Sequence, residues 1–319
     1  MATGNGTPEA ANGSGTVADA YTGNWVDRYA PAPLRPYFRL SRLDRPIGTW
    51  LLLLPCWWGL LLGMGFDGRA SWHDLWIAVG CAIGGTLMRG AGCTWNDITD
   101  RHIDGSVART RSRPIPSGAV SVPQALAWLV VQALIAFFIL ITFDTAAIIL
   151  GIVALAPVAI YPFAKRFHSM PQAHLGLAFA WGIPMAWAAA TGSVHWPLAA
   201  PLMAATVVWA IAYDSFYALV DVEDDEKIGV RSSARLFGRR ATDWIAVFQA
   251  LTLLLMVWVG QIAGLGRYYM AALIAAGALS LWQQWLARTQ GRDGCFRAFL
   301  NNHPLGFLIL AGLVLDLSA

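Results

Sequence analysis

Nine stretches of this chain are apolar over lengths near the ~20 residues needed to cross about 30 Å of hydrocarbon. They lie near 47–64, 75–95, 122–142, 145–162, 174–191, 197–219, 242–263, 266–286 and 303–318. In lipid the backbone must satisfy its own N–H and C=O groups, so runs of this length become helices. The fold class expected is therefore an all-α integral membrane protein with nine transmembrane helices. Only 13% of residues are charged, against about 25% in soluble domains. Little sequence is left over for a soluble domain.

The basic residues orient the bundle. With nine spans, one side of the membrane receives the N-terminus and the loops after spans two, four, six and eight. Of 22 Lys and Arg, only Arg69 and Arg267 fall opposite. Loops rich in Lys and Arg stay cytoplasmic, which puts the N-terminus inside. Residues 1–24 are rich in Gly, Ala, Thr and Asn, with neither the basic nor the apolar region of a signal peptide. They read as a disordered tail. We set the boundary at 35, with a tail over 1–35 and one polytopic domain over 36–319. Residues 33–45 alternate aromatic and basic side chains and suit the membrane interface. A net charge of +3, concentrated at membrane edges, speaks for anionic lipid headgroups and against nucleic acid. The four cysteines lack metal-type spacing and read as small core residues.

Against this apolar background, two acidic clusters stand out. "NDITDRHIDG" (96–105) follows span two, and "DVEDDEKIG" (221–229) follows span six. Asp100 and Asp104 are four residues apart, as are Asp221 and Asp225, and on a helix such a pair projects from one face. Each pair closes an even-numbered span on the same side of the membrane, in the manner of a weak internal repeat with a site between its halves. Facing carboxylates repel unless a cation lies between them. Mg²⁺ prefers oxygen ligands and is commonly shared between one or two carboxylates and a substrate's phosphates. The pattern thus predicts metal ions clamped between two carboxylate pairs, open to a phosphate-bearing ligand. Lys165 ends span four, one turn after Tyr161, and suits a diphosphate. Asp214 lies inside span six, and an intramembrane acid is a functional candidate by default.

These residues carry a resemblance. "NDITDRHIDG" matches the NDxxDxxxD motif, and the stretch around "DVEDD" the DxxxD motif, of the UbiA superfamily of intramembrane prenyltransferases. "RLDRPIGTWLLLLPCWWGL", "YPFAKRFHSMPQ" and "AYDSFYALVDVEDDEKIGVRSSARLFG" resemble its 4-hydroxybenzoate polyprenyltransferase branch, from about residue 38 to the end. The resemblance implies a nine-helix UbiA-type bundle in the bacterial inner membrane, its site facing the cytoplasm. It also implies Mg²⁺ dependence and transfer of a polyprenyl chain from its diphosphate to 4-hydroxybenzoate, a step of ubiquinone synthesis, with no obligate protein partner.

By the same resemblance Asn96, Asp97, Asp100 and Asp104 form the first metal and diphosphate site, and Asp221 and Asp225 the second. Lys165, Arg113 and Tyr161 attend the diphosphate. Arg42 and Arg166 attend the carboxylate of the aromatic acid. Asp214, read from its place inside span six and not from the resemblance, is a candidate at the same substrate, to bind it, orient it or accept its proton. The alternatives are a related transferase acting on naphthoate, homogentisate or haem, and a Mg²⁺-binding membrane transporter. A transporter would need polar residues along its spans, which are nearly clean beyond Asp214.

Overall fold

The computed structural model describes residues 23–66, 68–105, 110–229 and 231–319, with side chains at all of these except 103, 165–167 and 223–228. The described chain is helical throughout its ordered elements. Eight helices or helix pairs are long and apolar enough to cross a membrane, and Ile47–Gly63 is a shorter apolar helix. Together they account for the nine expected runs. Span one is Ile47–Gly63, span two Trp72–Asp104 and span three Val122–Leu140. Span four joins Thr145–Val153 to Leu155–Phe167, and span five joins Pro171–Ala180 to Gly182–Thr191. Spans six to nine are Trp196–Ile228, Ala241–Ala263, Arg267–Thr289 and Asn302–Leu317.

Spans two and six each run for 33 residues, about 50 Å at 1.5 Å per residue. Hydrocarbon is about 30 Å thick, so both helices continue well past the ends expected at 95 and 219. The acidic motifs are therefore helix and not loop, and their four-residue spacing is a real alignment on one face.

Spans four and five are broken in the middle, for one shared reason. Proline lacks the N–H that would bond the carbonyl four residues back, and its ring collides with that carbonyl. For Pro157 the carbonyl is Val153, and for Pro184 it is Ala180. These are the last residues of the two first halves. Pro55, Pro162 and Pro201 sit within helices that run on unbroken.

In lipid, close packing and interhelical hydrogen bonds hold helices together in place of a hydrophobic drive. Gly59 of span one illustrates the first: a Cβ there would lie 2.7 Å from the Ile183 carbonyl of span five. Tryptophans supply the second. The indole N–H groups of Trp57, Trp95 and Trp181 donate to the carbonyls of Ala78, Ala159 and Leu150 on neighbouring spans. The largest core cluster draws Leu54, Trp58, Trp209, Tyr213, Met256 and Tyr269 from spans one, six, seven and eight.

The tail expected over 1–35 is shorter than that at its C-terminal end. Asn24 caps a helix over Trp25–Tyr29, and Ala32–Leu34 and Arg35–Leu40 follow as further helical turns. Trp25 donates to the Leu43 carbonyl at 2.6 Å, and Arg39 pairs with Asp27 at 2.7 Å. The sequence concealed this order because both of these contacts join positions more than ten apart. Residues 1–22 lie outside the described chain.

Candidate active site

The first motif is a column of carboxylates. Asp97, Asp100 and Asp104 occupy positions i, i+3 and i+7 of span two, hence one face. They are 0%, 1% and 6% exposed. Asn96, half-buried, stands one turn before Asp100. Burying so much negative charge is costly unless cations accompany it.

Two arginines from outside the span supply the cations. Arg42 donates from Nη2 to Asp97 Oδ1 at 2.6 Å. Arg113 donates from Nη1 to Asp104 Oδ2 at 2.8 Å and to Asp97 Oδ1 at 3.3 Å. The turn after the motif returns Arg113 to this place: Thr110 donates its hydroxyl to the Asp104 carbonyl, and the Arg113 N–H donates to the Thr110 carbonyl. Asp97 and Asp100 repel the Asp104 carboxylate, and Arg113 offsets them. Asp97 Oδ2 is buried with no hydrogen-bond partner among the described residues.

The second motif forms a matching stripe. Asp214 and Asp221 are two turns apart on span six, and the backbone register places residue 225 on the same line. Asp214 and Asp221 are half-buried and act on one another electrostatically. Tyr161, on the second half of span four, lies within electrostatic reach of both halves. The charges acting on its hydroxyl include Asp214 of span six and Asp100 and Arg113 of the first motif. The contacts run from span two to the second half of span four, then to span five and so to span six.

The side chains of Asp225, Lys165 and Arg166 lie outside the described residues. Of the expected site, the structure thus brings Asp97, Asp100, Asp104, Arg42 and Arg113 into one buried network, with Tyr161 between that network and Asp214. Among the described side chains no group of three or more His, Cys, Asp or Glu is drawn together around a single point. Arg42 and Arg113, expected at two different substrates, here share Asp97.

Sequence reasoning passed over Arg89, counting it only toward topology. It donates to the Arg42 carbonyl at 3.3 Å and the Thr49 hydroxyl at 3.4 Å. A cation inside an apolar run was the available signal. Below the acidic network, toward the middle of the spans, lies an apolar cavity of about 390 Å³ among spans one to five, lined by Gly84, Met88, Phe137, Phe143, Val158 and Met185 among others. Val158 is one turn before Tyr161.

The UbiA prenyltransferase family matches residues 52–309. The chain belongs to that family. It is 47% identical over 281 residues to the 4-hydroxybenzoate octaprenyltransferase of Alkalilimnicola ehrlichii, covering 88% of this chain and 94% of that one. The enzyme of the same name from Aeromonas salmonicida is 46% identical, over 88% and 95%. Among solved folds it resembles the apo UbiA homolog of Aeropyrum pernix K1, with a TM-score of 0.72, 25% identity, and coverage of 85% of this chain and 98% of that one. The UbiA homolog of Archaeoglobus fulgidus bound to GPP and Mg²⁺ shares the fold at a TM-score of 0.68 and 19% identity, over 89% and 100%. The chain is thus a multi-pass membrane protein with the family's helical bundle, and Mg²⁺ is bound in a solved member of the family.

Proposed function

We propose that the protein transfers an octaprenyl group from octaprenyl diphosphate to the ring of 4-hydroxybenzoate, ortho to the hydroxyl, as a step of ubiquinone synthesis. The observation that carries this reading is the 43–47% identity, over 88–89% of the chain, to relatives named for that reaction. We place the protein in the bacterial inner membrane with both motifs facing the cytoplasm, on the strength of its one-sided basic loops.

The residues present suit Mg²⁺. They offer hard oxygen donors in columns on one helix face, with a buried Asp97 oxygen that makes no hydrogen bond among the described residues. Asn96, Asp100 and Asp104 with Asp221 and Asp225 would hold the metal, Asp97 completing the first cluster. Mg²⁺ bound there would neutralise diphosphate oxygens and stabilise the charge of the leaving group. Arg113 and Lys165, beside Tyr161, would bind the same oxygens and so lower the barrier to breaking the allylic C–O bond. Arg42 and Arg166 would hold the carboxylate of the aromatic acid, and Asp214 would orient its ring. The apolar cavity would take the first isoprene units and keep water from the reacting carbon.

Purified protein given 4-hydroxybenzoate and octaprenyl diphosphate tests the reading. Prenylated product that requires Mg²⁺ is expected. No product from 4-hydroxybenzoate, or product from naphthoate or homogentisate instead, overturns it.

A further inference from the structure

Arg42 is the single described non-glycine residue with a left-handed backbone, at φ +56°. L side chains disfavour that region, and a residue stays there when its surroundings over-determine it. The surroundings are unusually explicit. The preceding residue, Ser41, is 1% exposed and donates its hydroxyl to Gln132 Oε1 at 2.8 Å. The Ser41 hydroxyl oxygen in turn accepts the indole N–H of Trp128, also at 2.8 Å. Gln132 is 2% exposed and stands one turn after Trp128 on span three.

This node rests in a notch of span two. At Gly90 a Cβ would collide with Gln132 Oε1 and would sit 2.9 Å from Ser41 Cβ. Gly90 precedes Asp97 by two helical turns, so both lie on one face of the helix. The hydrogen-bonded node and the Arg42–Asp97 ion pair are therefore two fastenings of the segment 41–42 along one line of span two. The carbonyl of Arg42 accepts from Arg89, and that of Leu43 from Trp25. These anchors from other parts of the chain act beside local ones, since the N–H groups of Arg42 and Leu43 donate to the Arg39 and Phe38 carbonyls and close the end of the helix Arg35–Leu40.

We infer that Ser41, Trp128 and Gln132 are positioning residues for the transfer reaction: they hold the left-handed turn that aims Arg42 at the first acidic motif, and so set how tightly the aromatic acid is bound. The inference rests on the proposed role of Arg42 toward that acid's carboxylate. No group in the node touches a reacting atom. Its influence passes through the placement of one guanidinium, where small displacements weaken charge-assisted hydrogen bonds steeply.

The test measures KM for 4-hydroxybenzoate and for the prenyl diphosphate separately in Ser41→Ala, Gln132→Met and Trp128→Phe. Each is expected to raise the aromatic acid's KM by up to about tenfold, the upper range for one buried hydrogen bond, with the KM for diphosphate moved less than about twofold. Ser41→Thr restores the hydroxyl and is expected to restore much of the loss. In an Arg42→Ala background Ser41→Ala is expected to have no further effect, because residues acting as one unit are non-additive. Gln249→Leu removes a comparable buried amide pair between spans seven and eight and serves as the control for stability alone.

An unmoved KM in the variants overturns the inference. So does a loss that adds to that of Arg42→Ala, or an equal loss in Gln249→Leu. Wild-type protein that prenylates no 4-hydroxybenzoate refutes the functional reading itself, and this role with it. A working wild type with unmoved variants refutes this role alone.

Discussion

Two polar clusters are buried in this bundle, and they are built on opposite principles. Between spans seven and eight, the side-chain amides of Gln249 and Gln283 are hydrogen-bonded at 2.7 Å, and the Gln284 amide lies 2.8 Å from that of Gln249. Neutral amides bond one another there, within two adjacent helices. At the end of span two, three carboxylates share one face and draw arginines from the N-terminal segment and from the loop after the span. The first cluster is packing in polar form. The second collects more charge than a helix needs to hold its place, and its cations come from segments with other possible uses. That difference is how a site can be told from polar glue in a membrane protein, where both are buried and both hydrogen-bonded.

The largest effect should come from the carboxylates. Asp100→Ala combined with Asp221→Ala should lower the transfer rate by at least ~10³-fold, a loss in the range of removed electrostatic stabilisation. Membrane insertion and the thermal transition should stay near wild type, and full activity in this variant would erase the distinction drawn above. Arg113→Ala comes next. It strips a partner from two buried carboxylates at once, and breaking buried ion pairs costs about 3–5 kcal/mol. Lowered thermal stability and weakened diphosphate binding are expected together, read by a melting scan and by KM.

Gln249→Leu should cost about 1 kcal/mol, the scale of interhelical side-chain bonds in membranes, with turnover unchanged. A marked loss of activity there would mean that the amide cluster too is functional. The mildest effect is expected at Gly84, where an added Cβ meets nothing within 4 Å. Gly84→Leu would fill the apolar cavity with little strain, and competition between long and short prenyl diphosphates should then favour the shorter donor.

Particular residues show where sequence reasoning reached and where it stopped. The nine apolar runs translated almost directly into spans, because the length that crosses lipid is set by the bilayer and can be counted. The matched spacing of Asp100 with Asp104 and of Asp221 with Asp225 gave the motif faces, since helical periodicity holds wherever the helix does. Whether the helix held past 95 and 219 was less visible, for charge at a membrane edge suits a loop as well. Proline was equally ambiguous: Pro157 and Pro184 end a helix half four residues back, while Pro55, Pro162 and Pro201 do not. The local sequence is the same kind of signal in all five. The order in residues 24–34 escaped because it depends on Leu43 and Arg39.

What the chain determined by itself is its solvent, the number of crossings and the faces on which its acids stand. These follow from hydrophobicity and helical period, both local properties that add along the sequence. The tertiary structure alone decided which cations meet which carboxylates. Arg42 reaches Asp97 across 55 positions, and Ser41 reaches Gln132 across 91. Pairings of that range are selected by packing of whole helices, through a notch such as Gly90 and a backbone forced to a positive φ, and no window of the sequence contains both partners.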